Sequence, residues 1–479
     1  MKTIFITLSS PLEYRNLFAF PGCVFDELKR AAADDSSLRI IVLVNQKDLE
    51  KYRAELAGSW NEQVVMESVL LNYRRNFRQR LYLFFSSYLL YTKTTEILAT
   101  MGMRPGEPPA GGKRWLNPLK KLLARTLGRS RFVRERVATA LYFVAYPARP
   151  FRALFECYKP DIILISSLYN RFDRHIMPEA RRRGVPTLGI SAGWDHIDKY
   201  YLPFRATHFL AASEQMKRAA IAFQGYRREE ISVVGYPQYD FLVDQRFVLP
   251  REKVLAHIGF PLDATYSMYV SGSAYCPDES DIITEILSWI ERGDFVGNTY
   301  LVIRPYLGSR GRDKAFDVKK FNRFREHPRV FFYDMKLPNY LDEMTLFVNI
   351  MRHAHAVIAV YSTALLEAAM LGRPIVAAPF DGHTRRPFHR SIKRFRGFEH
   401  FQDVIRFGAL REAFSFPELK NILVHYLEDP SLDVEARAHM CSELCYRLDG
   451  MASKRVANAL LSCINYGHPK IENKEIILR

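Results

Sequence analysis

Short, nearly continuous apolar runs separated by more polar segments mark the start of the chain. Residues 3–9 and 38–44 are two such runs. Runs of this length without polar alternation are typical of strands buried on both faces of a parallel sheet. The segment near Val24–Ala33 is predicted to form a helix between them. The pattern therefore predicts the opening of a parallel α/β sheet.

The alternation of strands and helices continues in two blocks. The further predicted strands are residues 161–167 and 186–190 in the first block, and residues 266–273, 299–303, 330–333, 357–360 and 375–378 in the second. A helix is predicted through Ala180–Arg182. Two such blocks joined by a linker predict an α/β protein with two Rossmann-like domains that face each other across a cleft.

The domain boundaries follow from this reading. The predicted segments are an N-terminal domain (1–235), a linker (236–250), a C-terminal domain (251–440) and a closing helix (441–479). Residues 73–152 interrupt the first domain and are predicted to form a basic helical insertion around a loop rich in Pro and Gly.

Bulk properties narrow the class of protein. The chain has 479 residues, 48% of them hydrophobic and 25% charged, as expected for a well-packed protein of two or three domains. No window of about 18 uncharged apolar residues exists, so no membrane-spanning helix is expected. The N-terminal run is predicted to be a strand rather than a signal peptide. Six scattered cysteines indicate neither a disulfide framework nor a zinc site, which favours a reducing cytoplasm.

Positive charge is concentrated in the insertion. Residues 73–152 hold 17 Lys or Arg and only 3 Glu, a net +14 of the chain's total of +17. Lys120, Lys121 and Arg125 lie among leucines at helical spacing, a pattern that favours an anionic membrane surface. A solvated basic face is an alternative, and nucleic acid is another, although no nucleic-acid motif accompanies it. We expect peripheral attachment to the inner face of the cell membrane and no nucleic-acid partner.

A turn between two predicted strands is the most informative motif. Ser362 and Thr363 follow the strand at 357–360 and start an alanine-rich helix, in which Glu367 lies about one turn further on. A hydroxyl residue at the N-cap and the free N–H groups of the first turn favour an anion such as a phosphate. Glu367 then lies within reach of a ribose attached to that phosphate.

This motif resembles the nucleotide-sugar site of GT-B glycosyltransferases, and most closely the group that includes CDP-glycerol glycerophosphotransferases, UDP-N-acetylglucosamine 2-epimerases and surface-polysaccharide transferases. Other segments that resemble this group are residues 209–217 with 231–240, 301–305, 193–196 and the returning helix at 446–455. The resemblance covers about residues 155–465. In the turn Gly193–His196, His196 replaces the Asn of the related proteins.

The resemblance implies roles for individual residues. Ser362 and Thr363 would hold the donor diphosphate, Glu367 the ribose, and Arg304 would lie near the phosphates. A second close backbone approach to the donor is expected at Ser271, Gly272 and Ser273. The N-terminal domain would bind the acceptor. No Asp-x-Asp motif lies in a suitable loop, so we expect a metal-independent reaction without a cofactor.

Transfer to a hydroxyl also requires a base. Glu13, after the first strand, and Asp195 and His196, in the turn at 193–196, are the candidates. Further candidates near the transferred group are His383 and His389, with Arg385, Arg386 and Arg390 beside them.

The leading function is transfer of a sugar or polyol phosphate from a nucleotide-activated donor to a surface polysaccharide or glycolipid. A nucleotide-sugar 2-epimerase and a non-enzymatic polyanion-binding protein are the alternatives.

Overall fold

The computed structural model describes residues 1–71, 74–100, 116–199, 201–272, 276–306, 316, 319–334, 340–467 and 469. The chain forms two compact units, each built around one sheet. The first unit contains Met1–Tyr91, Lys120–Val243 and Cys445–Arg479, and the second contains Thr92–Leu119 and Asp244–Leu444.

The strands are β1 (Lys2–Leu8), β2 (Leu38–Asn45), β3 (Val64–Val69), β4 (Ile162–Ile165), β5 (Thr187–Ile190), β6 (His208–Ala211), β7 (Ile231–Val233), β8 (Ala264–Val270), β9 (Asn298–Arg304), β10 (Val330–Phe332), β11 (Ala356–Ala359), β12 (Ile375–Ala377) and β13 (Leu410–Glu412). The α-helices are α1 (Pro11–Leu17), α2 (Val24–Asp34), α3 (Leu49–Glu55), α4 (Phe77–Ser87), α5 (Lys93–Thr100), α6 (Asn117–Arg125), α7 (Ala138–Ala145), α8 (Arg152–Tyr158), α9 (Arg171–Arg183), α10 (Glu214–Ala219), α11 (Arg251–Ile258), α12 (Ser280–Glu291), α13 (Tyr340–His353), α14 (Thr363–Met370), α15 (Glu399–Arg406), α16 (Phe416–Glu428), α17 (Val434–Leu444) and α18 (Ala452–Tyr466).

The sheet of the first unit is parallel throughout, with strand order β3-β2-β1-β4-β5-β6-β7. Strands β1 and β2 are buried over nearly their whole length, which explains their unbroken apolar sequence. The chain reverses its direction of progress across the sheet between β1 and β4. The carboxyl ends of those two strands therefore form the topological switch point, where open α/β sheets bind ligands.

The sheet of the second unit repeats this order with one strand fewer, as β10-β9-β8-β11-β12-β13, and it is also parallel. Its switch point lies between β8 and β11. The predicted α/β class with two Rossmann-like domains is confirmed, because both sheets have the doubly wound order.

The last helix completes the core of the first unit. Val456 and Leu460 of α18 are fully buried in the same apolar cluster as β1, β2 and α2. Asp240 anchors the start of α18, since its two carboxylate oxygens accept the N–H groups of Ala452 (3.0 Å) and Ser453 (2.7 Å). The helix expected at 446–455 thus begins later, at Ala452, and Tyr446 has a left-handed backbone with φ of 60°.

The helices of the basic segment are divided between the two units. Helices α4, α6 from Lys120 onward, and α7 belong to the first unit, whereas α5 belongs to the second. In α5, the Thr94 hydroxyl accepts the N–H of Glu399 (2.9 Å). Ile97 of the same helix packs so closely on Gly397 that a Cβ atom added to the glycine would lie 2.7 Å from the Ile97 side chain. The sequence predicted that the whole basic segment belongs to the first domain, whereas the structure places α5 in the second unit.

The three cations predicted to face a membrane differ in their surroundings. Lys120 is only 4% exposed, and its ammonium lies 4.7 Å from the centre of the Tyr88 ring. Arg125 is exposed and donates a hydrogen bond to the Tyr91 hydroxyl (3.3 Å), while Lys121 is half-buried. Lys120 therefore presents no charge to a surface, and the expectation for this residue is corrected. None of the helices described by the structure is both long enough and apolar enough to cross a membrane.

Candidate functional site

Two helices begin at the switch point of the first sheet and place a carboxylate there in their first turns. Helix α1 follows β1 with Pro11 in its first turn, and Glu13 is the acidic residue of that turn. Helix α9 follows β4 and is capped by Asn170, whose side chain accepts the N–H of Phe172 (3.2 Å). Asp173 lies in its first turn. Glu13 and Asp173 are 1% and 0% exposed.

The Ser9 hydroxyl connects these two carboxyl groups. Its oxygen lies 2.6 Å from Oε2 of Glu13 and 2.8 Å from Oδ2 of Asp173. Glu13 also accepts the backbone N–H of Ser9 (2.8 Å) and a hydrogen bond from the Asn170 amide (3.3 Å), and the Thr7 hydroxyl bonds to Asp173. Since one hydroxyl proton cannot serve two carboxylates, the arrangement is satisfied when one carboxyl group is protonated.

Burial gives these groups unusual acidity. Desolvation raises the pKa of Glu13 above its ordinary value, against the opposing effect of its hydrogen bonds to Ser9 and Asn170. Desolvation and the neighbouring charge of Glu13 raise the pKa of Asp173 well above its ordinary value. Two carboxyl groups in one dry site do not ionise together easily, so the pair retains a proton to a higher pH than an isolated carboxyl group. The Glu13–Ser9–Asp173 cluster is therefore suited to accept and return a proton.

The turn at Gly193–His196 lies beside α1, because the Asn16 amide donates a hydrogen bond to the carbonyl of Ala192 (3.0 Å). Asp195 is half-buried and forms an ion pair with Lys199 (2.7 Å). His196 has its Nε2 atom 3.8 Å from the Asp195 carboxylate. Of the three predicted base candidates, Glu13 is thus the one held in a buried carboxyl pair, while Asp195 is held by a lysine.

In the second unit, Ser362 caps helix α14 at the switch point. Its backbone is extended (φ −143°, ψ 164°), and its hydroxyl accepts the N–H of Ala364 (3.3 Å). Thr363 is the first helical residue and is exposed, and Glu367 lies one turn later and is half-buried. The remaining N–H groups of the first turn and the helix dipole favour an anion at this point.

Strand register places Arg304 on the same edge. Arg304, the last residue of β9, pairs with Val270 of β8, and Val270 pairs with Ala359, the last residue of β11. Because neighbouring strands lie about 4.8 Å apart, Arg304 is roughly 10 Å from the strand that leads into the Ser362 turn. Its guanidinium stacks over the Phe347 ring at 4.3 Å.

The loop after β8 is arranged by a buried glutamate. Glu279 accepts hydrogen bonds from the Ser271 hydroxyl (2.6 Å) and the Gly272 N–H (3.1 Å), and the ammonium of buried Lys320 lies 3.6 Å from the same oxygen. A Cβ at Gly272 would lie 2.6 Å from that of Cys276, so only glycine fits there. The Gly272 N–H is engaged by Glu279 rather than presented to a ligand. Ser273 lies outside the described residues.

The loop after β12 carries the remaining predicted residues. His383 is exposed, with its Nε2 atom 3.1 Å from Glu285. Arg386 donates to the carbonyl of Asp278 (3.1 Å) and lies 3.5 Å from the Asp381 carboxylate, so it fastens the loop. Arg385 is exposed, and His389 and Arg390 are partly exposed. Within the described ranges, no group of three or more His, Cys, Asp and Glu side chains is placed to hold a metal ion.

Sequence reasoning missed Asp173 and Glu279. A signal for Asp173 was present, because polar residues follow the strand predicted at 161–167 just as they follow the strand that leads to Glu13. Both positions lie at carboxyl ends of strands next to the switch point, where the ligand rule applies. Glu279 gave no such signal, since its role depends on a loop that folds back onto it.

Comparison of the sequence with protein-family models and with curated proteins gave no match. Comparison with solved structures gave many. S. aureus MnaA, in a co-structure with UDP, aligns with a TM-score of 0.52 at 13% identity over 97% of each chain. The UDP-GlcNAc 2-epimerase of Neisseria meningitidis, bound to UDP-GlcNAc, aligns with a TM-score of 0.52 at 11% identity over 96% of this chain and all of that one (100%).

A glycosyltransferase from Rickettsia africae is also similar, with a TM-score of 0.49 at 8% identity over 96% of this chain and 98% of that one. At these identities the likeness concerns the fold alone. The alignments with S. aureus MnaA and with the Neisseria meningitidis epimerase, both with a TM-score above 0.5, cover nearly the whole of each chain and agree with the two doubly wound sheets. The chain therefore has the two-domain, GT-B-like α/β fold that the sequence resemblance predicted.

Proposed function

We propose that the second unit binds a nucleoside-diphosphate-activated donor at the carboxyl edge of its sheet. The observation that carries this proposal is the alignment of three features on one edge: the Ser362 cap, Glu367 one turn later and Arg304 at the end of β9. The helix start and the arginine neutralise the diphosphate, and Glu367 accepts hydrogen bonds from the ribose hydroxyls. The UDP and UDP-GlcNAc bound to proteins of similar fold support a ligand of this class.

The reaction we propose is transfer of a sugar or polyol phosphate to a hydroxyl of a surface glycan or glycolipid. In sugar transfer, the acceptor oxygen attacks the anomeric carbon, the bond from that carbon to the phosphate oxygen breaks, and the nucleoside diphosphate leaves with the electron pair. In polyol-phosphate transfer, the acceptor oxygen attacks the β-phosphorus, the bond between the two phosphates breaks, and the nucleoside monophosphate leaves with the electron pair. The hydroxyl proton passes through the partly exposed Ser9 hydroxyl to Glu13, with Asp173 completing the pair. Asp195 and His196 are the next candidates. The donor is a substrate, and the reaction uses neither a cofactor nor a metal ion.

A second candidate is epimerisation of the nucleotide-linked sugar. Removal and return of a proton at one carbon needs an acceptor and a donor of protons, and the Glu13–Ser9–Asp173 cluster can supply both. We place this candidate second because an epimerase has no use for the basic segment at 73–152, which we propose brings a transferase to the inner face of the membrane.

Calorimetry with UDP, CDP and GDP tests the donor site. We expect one of them to bind the wild-type protein, and Glu367→Ala to weaken that binding. Glu252→Ala, an exposed glutamate of α11 in the same unit, is the matched control and should bind as the wild type does. No binding by any of the three nucleotides, or equal affinity of both variants, contradicts the assignment.

Product analysis separates the two reactions. A transferase releases free nucleotide only when an acceptor glycan is present: the nucleoside diphosphate if a sugar is transferred, and the monophosphate if a polyol phosphate is transferred. An epimerase changes the sugar of the intact nucleotide without any acceptor. Incubating the protein with each nucleotide sugar, with and without acceptor, decides between them.

A further inference from the structure

A pocket lined by arginines lies in the first unit, away from the candidate catalytic cluster. Its volume is about 630 Å³. The basic residues that line it are Arg129, Arg131, Arg134, Arg136, Arg181 and Arg205, and the acidic ones are Glu135 and Glu230. We call this cavity the arginine pocket. Six cations against two carboxylates give it a strong positive potential.

The arginine pocket lies at the opposite edge of the sheet from Glu13 and Asp173. Thr187, the first residue of β5, lines it, as do Ala206 and Thr207, which directly precede β6. Glu13 and Asp173 follow the carboxyl ends of their strands, and a four-residue strand such as β5 spans roughly 13 Å. The pocket is therefore separate from the proton-holding cluster.

Two of the arginines that line the pocket have partners within the protein. Arg205 forms an ion pair with Glu135 (3.3 Å) and donates to the carbonyl of Gly225. Arg134 donates to the carbonyl of Phe223 and lies over the ring of Tyr201 at 5.5 Å. These contacts fix the two inner arginines in the framework of the pocket.

The outer arginines of the pocket differ from these two. Arg129, Arg131, Arg136 and Arg181 are exposed, and none has a carboxylate within 4.0 Å in the described part of the chain. Four uncompensated guanidinium groups around one concavity repel each other, and a phosphate group placed among them removes that repulsion while accepting several charge-assisted hydrogen bonds. The pocket is thus matched to a phosphate-bearing ligand.

Exposed apolar side chains that neighbour these arginines in sequence, or line the pocket with them, indicate the source of the phosphate group. Phe132, between Arg131 and Arg134 in sequence, is 69% exposed, and Leu127 is 39% exposed. Ile221, which lines the pocket, is 38% exposed. A free phosphate ion gains nothing from such groups, whereas at a membrane surface the apolar side chains enter the boundary between headgroups and acyl chains.

We propose that the arginine pocket binds the phosphate headgroups of anionic lipids, with Phe132 and Leu127 inserted into the membrane interface. This inference deepens the membrane location proposed above, and it does not depend on which reaction the protein catalyses. It moves the contact from Lys120, Lys121 and Arg125 to the segment Leu127–Arg136 and the loops that face it.

Sedimentation with vesicles tests the proposal on the full chain. We expect binding to vesicles of phosphatidylcholine with about one third phosphatidylglycerol, and little binding to phosphatidylcholine alone, at about 0.1 M salt. The triple variant Arg129→Gln, Arg131→Gln, Arg136→Gln should bind on the order of 10- to 100-fold more weakly. The matched control is Arg30→Gln, Lys51→Gln, Arg53→Gln, which removes the same charge from α2 and α3 and should stay within about twofold of the wild type.

A second variant separates a lipid from a soluble anion. Phe132→Ser should weaken vesicle binding by about tenfold, while binding of inorganic pyrophosphate, measured by calorimetry, stays unchanged. Equal losses in both triple variants, equal binding to neutral and anionic vesicles, or pyrophosphate binding without any vesicle binding would each overturn the proposal.

The nucleotide affinity of the triple variant of the arginine pocket should equal that of the wild type. Failure of the lipid site therefore leaves the donor site untouched, and loss of nucleotide binding in Glu367→Ala leaves the lipid site untouched.

Discussion

The carboxyl edges of the two sheets can be compared directly, because both sheets have the same doubly wound order. At the switch point of the first sheet, the starts of α1 and α9 carry Glu13 and Asp173, which are buried, acidic and joined by Ser9. At the switch point of the second sheet, the start of α14 carries Ser362 and Thr363, with Arg304 two strands away.

The difference is that one topology places carboxyl groups at the first switch point and hydroxyl groups at the second. A helix start stabilises negative charge, so an edge whose helices begin with hydroxyl residues is left free to attract an anionic ligand. Where the first turn already carries buried carboxyl groups, the helix start stabilises the charge of those groups instead of the charge of a ligand. Such a site is suited to hold a proton. We therefore propose that the second unit binds the donor and that the first transfers the proton, and the following predictions test that division.

The largest effect is expected for Glu13→Gln. Glutamine keeps the shape of the side chain but cannot accept a proton, so turnover should fall by roughly 10²–10⁴-fold while nucleotide affinity stays nearly unchanged. Steady-state kinetics together with calorimetry measure the two quantities. Glu27→Gln, in α2 of the same unit, is the control. If Glu13→Gln abolishes nucleotide binding while Ser362 can be changed freely, the assignment of the two units is reversed.

Glu367→Ala should weaken nucleotide binding by about 1–3 kcal/mol, because a charge-assisted hydrogen-bond pair to the ribose is lost. Turnover at saturating donor should change much less than the affinity. Ser362→Ala removes the cap of α14 and should lower the free energy of unfolding by about 1 kcal/mol in addition. Affinities from calorimetry and unfolding curves in denaturant separate the two effects.

The pH dependence of stability tests the buried carboxyl pair. The folded-state pKa of Asp173 is raised above its unfolded value of about 3.9, so its contribution to stability is fully present below that value. This contribution is lost as the pH rises toward the folded-state pKa, at up to about 1.4 kcal/mol per pH unit for one group. In Asp173→Asn the slope should become shallower, since the amide does not titrate and only Glu13, whose pKa is also raised by burial, remains. The free energy of unfolding of both proteins is measured at several pH values. If the two free energies change in parallel from pH 4 upward, Asp173 is not the group that holds the proton.

The smallest effect is expected for Asp195→Asn. This change breaks an ion pair with Lys199 that is only half-buried, and such pairs contribute about 1 kcal/mol or less. We expect turnover within a few-fold of the wild type and a slight decrease in melting temperature. A loss of turnover comparable to that of Glu13→Gln would move the base to the turn at 193–196.

Much of the fold was readable from the sequence, because buried parallel strands need unbroken apolar runs. Strands β1, β2, β8 and β9 were each located to within about three residues. Strands β6, β7 and β13 were missed, and so was β3, in which Glu67 and Ser68 interrupt the apolar run. In β13 only Leu410 is apolar, since Arg411 and Glu412 follow it. Edge and short strands are stabilised by pairing with their neighbours rather than by their own pattern.

The sequence by itself determined the α/β class and the Ser362–Glu367 motif, because both depend on residues that are close along the chain. Only the tertiary structure decided what depends on distant residues meeting: the buried Glu13–Ser9–Asp173 cluster, the capture of the Gly272 N–H by Glu279, the burial of Lys120 against Tyr88 and the arginine pocket. Charge and proton affinity are set by desolvation and by neighbours in space, and a linear sequence specifies neither until the chain has folded.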